Sequence, residues 1–97
     1  MRVSLQNFKM INDDLDKEFQ AAVKSINNHE EPFPADTLLK LYALYKKATN
    51  DYSRPKSSKA IINAFKTNAL FQVEDISQDE AKKLYIELAK QYLIYRK

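Results

Sequence analysis

The sequence predicts an all-α fold, a four-helix bundle, and three observations support that prediction. Glycine is absent from all 97 residues, which disfavours tight β-hairpins because their turns need positive φ angles. Apolar residues recur at helical spacing, about 3.6 residues, along most of the chain. Stretches rich in Pro, Asn and Ser divide that pattern into four segments. Four amphipathic helices joined by short loops bury one shared core most simply as a bundle.

The first helix is predicted to begin at Asp13 or Asp14, where a carboxylate can cap free backbone amides. Residues 1–12 are then an N-terminal extension, and residues 13–97 are the domain. The helix is expected to end at residues 27–29, before the prolines of "EEPFP". Its apolar stripe is predicted to comprise Leu15, Phe19, Ala22, Val23 and Ile26.

The second helix is predicted over residues 35–49, and it carries two apolar rows. The first row is expected to face the core and consists of Leu38, Leu41, Tyr45 and Ala48. The second row contains Leu39, Tyr42 and Lys46, which share a neighbouring face because they are three and four residues apart. Phenols and an ammonium group beside a core stripe raise the hypothesis of a pocket for a ligand with an apolar tail and a phosphorylated head. Taken alone, the tyrosines are explained equally well as amphipathic residues at the border of the core.

The third helix is predicted over residues 59–71, with Ser57 or Ser58 as its cap. Its inward row is expected to be Ile62, Phe65 and Ala69, with Ile61 as a further candidate.

The fourth helix is predicted to begin at the "SQDE" stretch, residues 77–80, which has the spacing of a capping box. It should continue to about Tyr95. Its core stripe is predicted to be Ala81, Leu84, Leu88 and either Tyr92 or Tyr95, with Tyr85 on the border of the stripe.

The composition excludes several classes of function. Cysteine is absent, so disulfides, thiol nucleophiles and Cys-based metal sites are ruled out. Without glycine there is no phosphate-binding glycine loop and no nucleophile elbow. The single histidine, His29, lies beside two glutamates and is interpreted as a solvated helix-end residue. We therefore expect no metal site, no cofactor and no enzymatic activity.

Charge and hydropathy narrow the choice of partners. The chain has 16 Lys plus Arg against 13 Asp plus Glu, a net charge of +3, but the two signs alternate and form no basic stripe. We therefore expect no nucleic-acid partner. No run approaches the roughly 20 apolar residues that span a bilayer, so we expect a cytoplasmic protein without membrane insertion.

Three separated segments carry a resemblance to a known family. "LDKEFQAAV" in the first helix, "LYALYKKAT" in the second and "SQDEAKKLYIEL" in the fourth resemble the acyl-CoA-binding protein family, four-helix proteins that hold fatty-acid thioesters of coenzyme A. The resemblance extends from about Leu15 to Tyr92. The third helix departs from the family pattern, since its "NAFKTNALF" stands where the family usually has two tryptophans.

The resemblance implies a set of ligand-binding residues. Tyr42 and Lys46 match the tyrosine and lysine that hold the ribose phosphate in the family, and Tyr85 matches a tyrosine that helps to enclose the ligand. The second phosphate-binding lysine is Lys66 when the chain is aligned without a gap from the fourth helix. An alignment anchored on the Arg-Pro of the preceding loop puts Ile61 there instead.

The remaining candidates follow from the same resemblance. Phe19, Ala22, Leu38 and Leu39 are implied to wall the acyl and pantetheine region, and Tyr45 completes the candidate site. The resulting expectation is a monomeric, non-enzymatic carrier that binds medium- to long-chain acyl-CoA esters one to one. The alternative is a helical protein-interaction module that has lost acyl-CoA binding and meets another protein through its tyrosine-rich surface.

Overall fold

A computed structural model describes residues 2–95 of the chain, with side chains described for residues 14–93. Over the described residues the secondary structure is entirely α-helical, and the predicted four-helix fold is confirmed. The helices are α1 (Arg2–Asn28), α2 (Ala35–Ala48), α3 (Ala60–Gln72) and α4 (Gln78–Tyr95).

Helix α1 begins earlier than predicted. It starts at Arg2, so the prediction of a start at Asp13 or Asp14 is wrong. The sequence before Asp13 contains neither proline nor glycine, and nothing there interrupts the helical hydrogen bonds. Residues 2–12 of the predicted extension are therefore the first turns of α1, and the domain boundary at residue 13 stays a prediction.

The helices pack in a series, α1 on α4, α4 on α2, and α2 on α3. Two long-range hydrogen bonds show that α2 and α4 run antiparallel. Thr37 Oγ1, near the start of α2, donates to Tyr92 Oη near the end of α4 over 2.7 Å. At the other end, Gln78 Nε2 donates to the carbonyl oxygen of Ala48 over 2.9 Å.

The core lies where α1 and α2 meet α4, and Phe19 is its largest fully enclosed side chain, with 1% of its surface exposed. Burying a phenylalanine of this kind contributes roughly 1.5–3 kcal/mol to folding. The buried cluster comprises Phe19, Leu41, Leu44, Ala48, Ala81, Tyr85 and Ile86. Leu15, Ala22, Val23 and Ile26 are partly buried against it, as the stripe predicted for α1 requires.

In α2 and α4 the buried face of the helix differs from the predicted one. In α2, Leu38 and Tyr45 are exposed and Leu44 is buried instead; in α4, Leu84 is exposed while Tyr85 belongs to the core. Both helices carry adjacent apolar rows, and only the crossing with their neighbours selects which one is enclosed. Tyr95, the alternative core residue, lies outside the described side chains.

Helix α3 packs on α2 alone among the described elements, and its predicted inward row is only partly enclosed. Ala69 is buried and Ile62 is partly buried. Phe65 and the further candidate Ile61 are 51% and 62% exposed, because no further helix covers them, so the prediction is wrong at these two positions. The predicted serine cap is also wrong, since Lys59 is the N-cap residue and makes no side-chain capping bond. Ser57 instead exchanges two 2.9 Å hydrogen bonds with Asn63, which fasten the preceding loop to α3.

The capping prediction for α4 is confirmed at Ser77, whose Oγ accepts a 3.0 Å hydrogen bond from the backbone amide of Glu80. The interpretation of His29 as a solvated residue is wrong. Its ring lies 5.0 Å from that of Phe33, and its Nε2 is buried without a hydrogen-bond partner among the described residues.

Candidate functional site

Two cations from different helices meet at one tyrosine. Lys46 Nζ lies 5.5 Å from the centroid of the Tyr42 ring, and Lys66 Nζ lies 5.0 Å from the same centroid. Tyr42 and Lys46 share a face of α2 because they are four residues apart. Lys66 reaches them because α3 runs parallel to α2, an arrangement also seen where Lys47 Nζ donates to the carbonyl oxygen of Glu74 over 3.0 Å.

Ile61, the alternative to Lys66, is exposed on α3, and the assignment of the second phosphate-binding position stays a prediction. The three groups Tyr42, Lys46 and Lys66 are called the cationic cluster below. Positive charge held over the face of an aromatic ring is stabilised by the ring quadrupole, by about 0.5–1 kcal/mol at exposed sites and more where water is excluded.

An aromatic layer lies next to the cationic cluster. The ring of Phe19 is 6.1 Å from that of Tyr45 and stacked on it, and 5.2 Å from that of Tyr85 in an edge-to-face arrangement. Tyr45 and Tyr85 are themselves 6.4 Å apart. Tyr45 is 42% exposed, so it presents the accessible ring of the three while Phe19 and Tyr85 support it from below.

Tyr85 keeps its proton over a wide range of pH. Burial, together with the nearby Tyr45 hydroxyl, raises the pKa of the Tyr85 phenol to about 12. Desolvation disfavours the phenolate, so the hydroxyl stays a neutral hydrogen-bonding group at every physiological pH.

Lys46 is the unexpected member of the cationic cluster, because only 6% of its surface is exposed. Its ammonium group donates to the Ser53 hydroxyl over 2.9 Å and also to the Ser53 carbonyl oxygen. Asp51 Oδ1 lies 3.9 Å from the same nitrogen. A buried charge needs such partners, since an unpaired ammonium group loses its hydration without compensation.

Sequence reasoning missed Asp51 and Ser53. Their signal is the "NDYS" stretch after α2. Asn50 adopts a φ of 58°, a conformation that asparagine tolerates better than most residues. Asp51 Oδ1 then accepts a 2.9 Å hydrogen bond from the Ser53 amide, which is the spacing of an Asx turn.

The residues predicted to wall an acyl chain differ widely in their exposure to solvent. Leu38 is 49% exposed, Ala22 and Leu39 are partly buried, and Phe19 is enclosed in the core. Leu38 lies on the same face of α2 as Tyr42 and Tyr45, whereas Leu39 is turned towards α3. Their roles toward a ligand stay predictions.

Two cavities border α2. One of about 700 Å³ lies between α2, α3 and α4, and its lining includes Leu39, Ala43, Phe65 and Leu84. The other, about 300 Å³, lies between the end of α2, the following loop and α3, and its lining includes Lys46, Asp51, Ser53, Thr67 and Phe71. The smaller cavity thus adjoins the buried ammonium group.

Three further observations concern the other kinds of site considered from the sequence. Arg54 and Lys56, in the loop before α3, are exposed. Within residues 2–95, no helix has the length and apolar character needed to cross a bilayer. The described part of the chain also holds no group of three or more side chains arranged as metal ligands.

Comparison with known proteins identifies the family. The model of the family described as acyl-CoA-binding protein matches residues 16–89. The acyl-CoA-binding protein of Saccharomyces cerevisiae is 36% identical over 81 residues, covering 77% of this chain and 88% of the yeast protein. The crystal structure of acyl-CoA-binding protein 2 from Oryza sativa superposes with a TM-score of 0.76 at 28% identity, covering 88% of this chain and 95% of the rice chain. The chain therefore belongs to the acyl-CoA-binding protein family.

Proposed function

We propose that this protein binds coenzyme A thioesters of medium- to long-chain fatty acids without covalent chemistry, as a monomeric cytoplasmic carrier. Membership of the acyl-CoA-binding protein family supports the ligand class. The observation that carries the proposal is the convergence of two lysines from α2 and α3 on the ring of Tyr42. No group in this arrangement needs to act as a nucleophile or a base.

In this proposal the cationic cluster takes the phosphorylated head of the ligand. Lysine is a compact point charge with three donors that adapts to phosphate oxygens, and charge-assisted hydrogen bonds are about twice as strong as neutral ones. The ring of Tyr42 offers a face on which the adenine can stack. Lys66 is the more available cation, because it is half-buried and extends from α3 over that ring.

The acyl chain is proposed to lie on the apolar surface beside that head-group site. Leu38 and Tyr45 are exposed on the face of α2 that also carries Tyr42. Ala22 and Leu39, which are partly buried, are retained as proposed contacts of the chain on the strength of the family resemblance. Phe19 and Tyr85 do not touch solvent appreciably and are proposed to hold Tyr45 in place. Each methylene group removed from water contributes about 0.8 kcal/mol, so affinity should rise with chain length until the surface is filled.

The test is isothermal titration of the delipidated protein with palmitoyl-CoA, kept below its micelle-forming concentration, with free coenzyme A and palmitate titrated separately. We expect one-to-one binding of the ester, much tighter than that of either control, because only the ester engages both surfaces. Failure of the ester to bind, or an affinity equal to that of free coenzyme A, would refute the carrier function.

A further inference from the structure

The two lysines of the cationic cluster differ in how their ammonium groups are occupied. An ammonium group has three donors and no acceptor. Two donors of Lys46 are directed at the carbonyl and hydroxyl oxygens of Ser53, and Asp51 lies 3.9 Å away. Lys66, in contrast, forms no hydrogen bond or ion pair with any described residue and contacts the Tyr42 ring. One cation is therefore engaged by the protein, and the other is available.

The segment that engages Lys46 is itself firmly folded. The Asp51 amide donates to the carbonyl oxygen of Lys46 over 2.9 Å, and the left-handed conformation of Asn50 turns the chain back toward α2. The Ser53 amide donates to Asp51 Oδ1, and hydrogen bonding to Ser53 lowers the pKa of that carboxyl group. Asp51 is accordingly ionised at neutral pH and places a negative charge beside the buried ammonium group.

A phosphate group that binds at the cationic cluster must compete with Ser53 and Asp51 for the ammonium group of Lys46. It can bond to Lys66 directly, but to bond to Lys46 it must displace an oxygen of Ser53. It must also approach the Asp51 carboxylate, and like charges repel one another. The loop oxygens thus occupy the position around Lys46 that phosphate oxygens would take.

We propose that Asp51 and Ser53 set the affinity and the head-group specificity of the protein by competing with the ligand's ribose phosphate for Lys46. This inference rests on the proposed function and adds the loop to it. It means that the wild-type protein discriminates less between phosphorylated and dephosphorylated head groups than two available lysines would allow.

The test replaces Asp51 by asparagine, which keeps an oxygen to accept the Ser53 amide and removes only the charge. Dissociation constants are measured for palmitoyl-CoA and for its 3′-dephospho analogue, with the wild-type protein and with Asp51→Asn. We expect Asp51→Asn to bind palmitoyl-CoA about three- to tenfold more tightly and the dephospho ester with unchanged affinity.

Two further variants separate this mechanism from general electrostatics. Asp75→Asn removes an exposed negative charge elsewhere in the protein and should leave both affinities at the wild-type value. In a Lys46→Met background, Asp51→Asn should give no gain, because the group competed for is gone. Thermal unfolding of each variant verifies that it is folded.

A loss of affinity for palmitoyl-CoA in Asp51→Asn, in place of a gain, would overturn the inference. If Asp51 and Ser53 instead hold Lys46 ready for the ligand, Asp51→Asn will weaken the binding of palmitoyl-CoA. An equal gain for both esters would also refute competition at the ribose phosphate. A wild-type protein that binds neither ester would refute the proposed function itself, whereas tight wild-type binding without a gain in Asp51→Asn refutes this inference alone.

Discussion

Lys66 offers the sharpest test of the head-group site, through the substitution Lys66→Ala. Its ammonium group lies 5.0 Å from the centroid of the Tyr42 ring and has no described hydrogen-bond acceptor to keep it from a ligand. A hydrogen bond to a charged group contributes about 1.5–3 kcal/mol. Because Lys66 is half-buried, water screens part of this interaction, and we take the lower half of that range. At about 1.4 kcal/mol per tenfold change, the affinity should fall roughly ten- to fortyfold.

The assay is titration calorimetry with palmitoyl-CoA at two ionic strengths, with Lys83→Ala as the matched control. Lys83 is an exposed lysine on α4, so both variants lose one positive charge and differ only in its position. Lys83→Ala should change the affinity less than twofold, and Lys66→Ala should also weaken the dependence of binding on salt. If Lys66→Ala binds within twofold of a tightly binding wild-type protein, Lys66 does not contact the phosphate.

Three other predictions concern the aromatic layer and the acyl surface. The contribution of Tyr85 to the unfolding free energy should be fully present below pH 10 and should be lost between pH 10 and about 12, because the unfolded chain loses the Tyr85 proton first; the loss is about 1.4 kcal/mol per pKa unit. Tyr85→Phe should remove this dependence of the unfolding free energy on pH, as measured by urea unfolding at a series of pH values. An unchanged pH dependence in Tyr85→Phe would contradict the prediction. Phe19→Ala should lower the unfolding free energy, measured in urea, by about 3–5 kcal/mol. A measured loss below about 1 kcal/mol would contradict this prediction. Leu38→Ser should reduce the gain in affinity per methylene across a series of acyl-CoA chain lengths, whereas Leu84→Ser, on the 700 Å³ cavity, should not; equal effects would place the chain elsewhere.

Features that depend only on neighbouring residues in the sequence, such as a helix cap or a helix start, could be predicted correctly. The Ser77 cap depends on two residues three apart, and the start of α2 depends on the adjacent prolines, so neither needs tertiary information. The early start of α1 was missed because an acidic pair can cap a helix or lie within one. Nothing local distinguishes the two cases.

Features that depend on packing against another helix or loop were predicted less well. Leu38 and Leu44 are equally apolar, and only the crossing of α2 with α4 decides that Leu44 is enclosed. Burial of Lys46 could not be predicted from helical spacing, because it arises from the loop that folds back onto α2. The candidate residues Tyr42, Lys46 and Lys66 were nonetheless anticipated together, because family resemblance supplied a long-range relation that periodicity lacks.

The single-sided packing of α3 has a consequence for the motions of the native protein. With α2 as its only described neighbour and with Ile61 and Phe65 exposed, α3 has less burial to lose than α1, α2 or α4. Its backbone hydrogen bonds should therefore open as a cooperative unit at a lower free energy than global unfolding. A ligand that joins Lys66 on α3 to Tyr42 on α2 would act as a clamp across that weak boundary, so that occupancy of the site is reported by slower amide hydrogen exchange throughout α3.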